Sequence, residues 1–195
     1  MSRRLSSTSY LVLGLIALRG PSASYDLKRA VGRSVGYFWP FPHTQLYDEP
    51  MRLVEDGLLT TTTEDQGRRR RAYSLTPRGL EVLRDWVNDA DAGVFQVRDE
   101  GELKLFFSEL ADDGAVQKLA GSQARFHGTR LGVLEAMLER YAGIEDLANR
   151  LAPLLLGVRV ERTYVEFWQE VEARGLKAVS ADAGAAPAGQ KRKVG

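Results

Sequence analysis

Arg68, Arg69, Arg70 and Arg71 stand consecutively, and no acidic residue occurs from residue 66 to residue 80 to neutralise them. Guanidinium is permanently charged and presents a planar fork of donors, so a run of four suits one chemistry above others, the gripping of phosphate oxygens. The ordinary use of charge at a strand edge is to keep sheets from pairing, and there lysine suffices. Alternation also puts only every second arginine on one face. Four arginines without an intervening acid exceed that need and point to phosphate or minor-groove contact with a duplex.

A second group is polar in a different way. His43, Thr44 and Gln45 precede an apolar repeat, where side chains and free N–H groups at a helix start can approach phosphates or base edges. The Gln45 amide has the donor and acceptor that can pair bidentately with adenine, and His43 is a weaker reader. Helix capping and solvent exposure are the competing roles for all three. Lys28 and Arg52 are candidate phosphate contacts, with salt bridges to Asp26 or Glu55 as their alternative.

Catalytic and metal chemistry find no constellation. His43 and His127 are the two histidines, without H-x-x-x-H or H-E-x-x-H spacing, and no G-x-S-x-G, P-loop or dinucleotide glycine pattern is present. With zero cysteines there is neither a disulfide scaffold nor a thiolate metal site, which fits a reducing compartment. No cofactor and no enzyme activity are expected.

These residues need elements to position them. Ser6, Ser7, Thr8 and Ser9 offer N-cap hydroxyls for a first helix in which Leu11, Val12, Leu15, Ile16 and Leu18 repeat at helical spacing up to Gly20 and Pro21. Such an apolar helix belongs in a core. Ser24 can cap a second helix from Tyr25 to about Val31, ended by Gly32 and Gly36. An aromatic linker with two prolines, residues 37–42, follows in extended or turn geometry. The third helix occupies the stretch around residues 43–55 and closes at Gly57, where a left-handed glycine is expected. Pro50 removes one of its hydrogen bonds and demands a kink or two shorter turns. Residues 58–63 and 72–75 are rich in β-formers and flank a turn at 64–67, so the arginines open the return strand of a hairpin. Tyr73 is expected to pack beneath that hairpin. Thr76 and Pro77 then start a fourth helix carrying Leu80, Leu83, Trp86 and Val87.

Helix, helix, helix, hairpin, helix is the order of a winged helix-turn-helix, with the third helix as reader. The residues also resemble a family. Leu13-Gly14-Leu15-Ile16-Ala17-Leu18 with Gly20-Pro21, Ser24-Tyr25-Asp26-Leu27-Lys28, Phe38-Trp39-Pro40, Gln45-Leu46-Tyr47 through Leu53-Val54-Glu55-Asp56-Gly57-Leu58, and Gly67-Arg68-Arg69-Arg70 with Tyr73-Ser74-Leu75-Thr76-Pro77-Arg78-Gly79 together resemble the PadR-type transcriptional regulators. Five motifs in order over half the chain make the match specific. Ser24 stands where many members have glycine, and Pro50 where they have an apolar residue. The resemblance implies that Tyr25 and Tyr47 face DNA, although a tyrosine among apolar neighbours is commonly half-buried with its hydroxyl tied locally.

The second half is helical by periodicity. Leu103, Phe106, Phe107 and Leu110 mark one amphipathic segment. Leu131, Leu134, Leu138 and Tyr141 mark a longer one. A last helix begins after Pro153 and carries Val158, Val165 and Trp168. Some 80 residues in three helices bury too little surface to be secure alone, and a second copy would supply the rest. The resemblance, looser here, implies a helical dimerisation domain using Leu103, Phe106, Phe107, Leu131, Leu134, Leu138, Val158, Val165 and Trp168. It also implies release from DNA by a small aromatic effector or another signal. The aromatics Phe38, Trp39, Phe41, Phe106, Phe107, Phe126 and Trp168 are candidates to line such a pocket, with core packing as their commoner use.

Of the 195 residues 44% are hydrophobic, and the formal charge of +1 means that any polyanion surface is made by clustering. The apolar run at 10–18 is too short to span a bilayer. The expected protein is soluble and cytoplasmic, without a membrane partner. It is mainly α (α+β): a winged helix-turn-helix with a two-stranded wing over residues 1–92, a helical dimerisation and effector domain over 93–178, and a disordered Ala/Gly/Pro and basic tail over 179–195. The function expected is a repressor binding palindromic double-stranded DNA as a homodimer. The competing reading is a winged-helix module that binds an acidic protein partner and no duplex.

Overall fold

Ser6 opens the first helix, α1 (Ser7–Arg19), with a reciprocal cap: its hydroxyl accepts from the Ser9 amide, and the Ser9 hydroxyl accepts from the Ser6 amide. Gly20 ends it with φ 81°, a conformation that favours glycine. The computed structural model describes residues 5–32, 34–37, 39, 44–63, 71–94, 96–144 and 147–185. These fall into two units, Met1–Phe95 and Gln96–Gly195.

In the first unit α1 is followed by α2 (Ser24–Gly32), a short 3-10 turn (Val35–Tyr37) and α3 (Gln45–Glu55); then come β1 (Leu59–Thr63), β2 (Arg71–Leu75) and α4 (Pro77–Asn88). α1 runs through the middle, packed on α3, α4, β2 and α2. Its Val12, Leu13 and Ile16 join Leu27, Val31, Leu46, Leu53, Leu59, Tyr73 and Leu83 in one core. The first helix is not wholly buried: its last turn, Ala17, Leu18 and Arg19, is exposed, Leu18 to 60%.

Ser24 lies inside α2 and does not cap it. The Asp26 carboxylate accepts from the Ala23 amide instead, the half of a capping box that an acid three residues in can supply. α3 is one continuous helix through Pro50, so the alternative of two shorter turns is not what forms. The Leu46 carbonyl gives up its i+4 donor, and burial of Pro50 with Leu46 and Leu53 offsets that loss. At its end Gly57 has φ 72°, and the Leu58 amide reaches back to the Leu53 carbonyl in a Schellman turn.

The strands pair antiparallel from Leu59 opposite Leu75 to Thr63 opposite Arg71. Ser22 adds a bridge to Tyr73, exchanging both backbone hydrogen bonds with it, so the chain between α1 and α2 acts as a third strand at the hairpin's base. Tyr73 packs beneath the hairpin as expected, 4% exposed. The Thr76 hydroxyl accepts from the Gly79 amide with Pro77 at the first position of α4.

The second unit contains α5 (Glu100–Phe106), a 3-10 turn (Ser108–Leu110), α6 (Ala115–Tyr141), α7 (Ala148–Arg174) and α8 (Leu176–Ala185). α7 begins before Pro153, not after it. α8 continues into residues expected in the structureless tail, where Ala181, Ala183 and Ala185 supply strong helix formers. α6 and α7 lie antiparallel, with Gly121 against Glu172, His127 against Glu161 and Gly157 against Leu134. Small residues allow that approach: Trp168, fully enclosed, packs with Ala120, Ala124 and Val171. Trp168, Val158 and Leu134, expected at a subunit interface, are therefore inside their own chain. An apolar stripe of helical period reports that something covers it, and here the cover is the neighbouring helix.

Candidate nucleic-acid interface

The surface of interest is built on α3. Leu46, Glu49, Pro50 and Leu53 hold one side of it in the core, which leaves Thr44, Gln45, Tyr47, Asp48, Arg52 and Glu55 exposed. Thr44 occupies the N-cap position with its hydroxyl making no cap bond, so capping does not consume it. Tyr47 is 49% and Tyr25, on the adjacent α2, 61% exposed, so both rings reach the surface. Lys28 is exposed on the same helix as Tyr25, with Arg29 lying over the Tyr25 ring at 6.0 Å.

Arg52 forms an ion pair with Glu49 at 3.7 Å, one helical turn back, while 57% of its side chain stays exposed. Its expected alternative partner was Glu55. Arg71 opens β2, is exposed, and donates from Nη1 to the Met51 sulfur at 3.1 Å, which sets the Thr63–Arg71 end of the ladder beside α3. His43, Arg68, Arg69 and Arg70 lie outside the described residues, as do Phe38, Phe41 and residues 64–67, where a turn is expected.

α3 carries Asp48, Glu49 and Glu55 against a single Arg52, so it offers base-reading groups without a positive field of its own. Lys28 and Arg29 on α2 and Arg71 on β2 are exposed cations on neighbouring elements. Thr8 and Ser9 are residues that sequence reasoning read only as caps. The Thr8 hydroxyl donates to Gln45 Oε1 at 2.8 Å, and the buried Ser9 hydroxyl donates to Glu49 Oε1 at 2.5 Å. Four consecutive hydroxyl residues where one cap suffices were the available signal.

In the second unit Leu103, Phe106 and Phe107 are 57%, 79% and 54% exposed, and Leu131, Leu138 and Val165 are half-buried. An open groove of about 480 Å³ is lined by Glu102, Leu105, Phe106, Thr163, Tyr164, Phe167 and Leu176. Phe106 is the one suspected pocket aromatic that lines it. Trp168 lies in the core, and Trp39 is 45% exposed in the first unit. The Tyr164 hydroxyl donates to Glu102 at 2.9 Å, and its ring stacks on His127 with centroids 4.5 Å apart. Burial first, then the Glu102 bond and the charges of Glu102, Asp99 and Glu161, push the Tyr164 phenol up to about 12. Beneath it Glu161 is buried between His127 Nδ1 and Arg130 Nε, each at 2.6 Å. Among the described residues no group of acids and histidines could hold a metal ion.

A family model described as the transcriptional regulator PadR-like family matches residues 12–85, and one described as virulence activator alpha C-term matches residues 97–174. Over 173 residues, 84% of this chain and 94% of that protein, the sequence is 25% identical to the negative transcriptional regulator PadR of Bacillus subtilis. The crystal structure of B. subtilis PadR in complex with operator DNA has the same fold. Its TM-score is 0.78 at 24% identity, covering 88% of this chain and 98% of that one. The same protein in complex with p-coumaric acid gives a TM-score of 0.73 at 24% identity, covering 85% and 96%. The matched proteins are transcriptional regulators, not enzymes. Every described candidate from Tyr25 to Arg71 falls inside the first matched range.

Proposed function

We propose, from the premise that the chain belongs through residues 12–85 to the PadR-like family of transcriptional regulators, that it is a repressor binding palindromic operator DNA as a homodimer. The observation that carries the reading is the exposed set Thr44, Gln45 and Tyr47 at the start of α3, beside Tyr25 and Lys28 on α2 and Arg71 at the start of β2. α3 enters the major groove, and the hairpin arginines follow the backbone or the minor groove. Repression is favoured because the relative that matches along both halves is a negative regulator. Such a role belongs in the cytoplasm, and among the described residues no helix is long and apolar enough to cross a membrane.

Release follows from a change in the separation of the two recognition helices, and so in their match to half-site spacing. A small aromatic molecule is the proposed signal. B. subtilis PadR has been crystallised with p-coumaric acid, and the groove beside Phe106, Tyr164 and Phe167 offers aromatic walls of suitable size.

Salt titration on duplex DNA is the test. Each neutralised phosphate contributes about 0.9 to the slope of log K against log salt. The wild-type chain is expected to show a steep linear fall, and Arg69→Ala with Arg70→Ala, which removes four arginines from the dimer, to weaken binding to all duplexes and shallow the slope by about 4. Negligible duplex affinity at low salt would turn the reading toward the protein-interaction module.

A further inference from the structure

We propose that Thr8 is a specificity-determining positioning residue, whose hydroxyl orients the Gln45 amide so that the recognition helix presents its N–H donors, not an adenine-matching donor and acceptor pair. The inference rests on the reading of α3 as the helix that enters the major groove.

Two adjacent residues in the first turn of α1 hold two residues one turn apart on α3. Thr8 Oγ1 donates to Gln45 Oε1 at 2.8 Å, and Ser9 Oγ donates to Glu49 Oε1 at 2.5 Å. Positions i and i+4 share a helix face, so both bonds address the same side of α3. The Ser9 bond is buried, and Ser9 is itself tied to Ser6 through the capping box. It therefore sets the height and rotation of α3 against α1. The Thr8 bond lies at the surface, at the first residue of α3, where base contacts by a recognition helix are made. Its effect is on a side chain and not on the helix.

An amide reads adenine by accepting from N6–H with its oxygen while donating to N7 with its nitrogen. In this chain one of the oxygen's two lone pairs accepts from Thr8, and that bond turns the oxygen toward α1 and fixes the plane and rotamer of the amide, leaving Nε2 as the end that faces a base. Both hydrogens of Nε2 remain for an edge that offers acceptors alone, namely guanine with N7 and O6, or thymine with O4. The base preferred opposite Gln45 is thus set partly by a residue of another helix.

The experiment selects bound duplexes from a random pool with the full chain and with Thr8→Val, Thr8→Ser and Gln45→Ala. Valine keeps the β-branched shape and removes the donor, while serine restores the donor. At one position in each half-site the wild type is expected to prefer guanine or thymine over adenine by about tenfold or more. Gln45→Ala flattens that position and Thr8→Val moves it toward adenine. Thr8→Ser restores the wild-type base, and the salt slope is the same for all four. A merely structural Thr8 would lower affinity without moving the preferred base. Adenine at that position in the wild type overturns the inference, as does a Thr8→Val profile equal to wild type beside a flattened Gln45→Ala profile. A wild-type chain that selects no sequence overturns the operator reading itself, and this inference with it.

Discussion

Glu49 shows how single hydroxyls govern this molecule. A carboxylate only 5% exposed on the helix meant for a polyanion is tolerable because Ser9 donates to it and Arg52 stands at 3.7 Å. A buried charge without such partners costs several kcal/mol, on the order that unfolds a small domain. Tyr164 is the corresponding residue of the second unit, and its phenol is pushed from 10.0 to about 12 by burial, by its bond to Glu102 and by neighbouring carboxylates. A pKa raised on folding favours the protonated form in the native state. Its stabilising share is complete below about 10, declines as the unfolded phenol ionises, and is gone above about 12, because the unfolded chain then binds fewer protons. Unfolding free energy measured by denaturant titration across that window is expected to fall with rising pH in the wild type. Tyr164→Phe should remove part of that fall. Equal pH dependence in the two proteins, or a phenolate absorbance titration of Tyr164 at its ordinary value, would refute the assignment.

Among the elements, the joint between β1 and α4 is the least tolerant of change. The Thr76 hydroxyl lies 3.0 Å from the Leu58 carbonyl, and a Cβ at Gly79 would sit 2.1 Å from that same oxygen. Backbone cannot yield as a flexible side chain does. Gly79→Ala is therefore expected to lower stability by about 1–3 kcal/mol or more through overpacking, seen as a drop in thermal midpoint. Gly132→Ala is the control, an exposed position within α6 with open space around it, and should stabilise by about 0.5–1 kcal/mol. A neutral Gly79→Ala would mean that α4 can shift away from the strand. This joint was legible in the sequence because its signals are local: a hydroxyl N-cap, proline at the first position and glycine after α3 act within four residues. Proline misled for the complementary reason. Pro50 and Pro153 are each the sixth residue of their helices, counted from Gln45 and Ala148; burial with Leu46 and Leu53 offsets the lost bond at Pro50, whereas Pro153 is exposed. The site divides the same way. Gln45, Tyr25 and Tyr47 could be picked out by type and place, whereas the Thr8 contact spans 37 positions and leaves no periodic trace.

At the scale of the whole molecule, the homodimer proposed above needs an apolar face for a second copy to cover. α6 and α7 consume Leu134, Val158 and Trp168 between themselves, yet they enclose only Ala120, Ala124, Trp168 and Val171 in their central cluster. So small a core leaves the second unit short of buried area. Leu103, Phe106 and Phe107 around α5 stay largely exposed, a concentration of large side chains that a soluble monomer rarely keeps. We propose that this face lies in the homodimer interface. Phe106→Glu with Phe107→Glu is expected to yield monomers by analytical ultracentrifugation, since two carboxylates per chain would be desolvated on pairing. The consequence for DNA is separable from any damage to the reader: each monomer still meets one half-site, but the second contact is no longer intramolecular. Affinity for a palindrome should then fall by about 10² to 10⁴, while affinity for an isolated half-site stays that of the wild-type protomer. A double variant that remains dimeric would move the interface to another exposed apolar face, such as Val133 on α6 with Leu155, Leu156 and Val160 on α7. A loss of half-site affinity in the monomer would mean that pairing also shapes the reading head, because a rigid head needs no partner to recognise its own half of the operator.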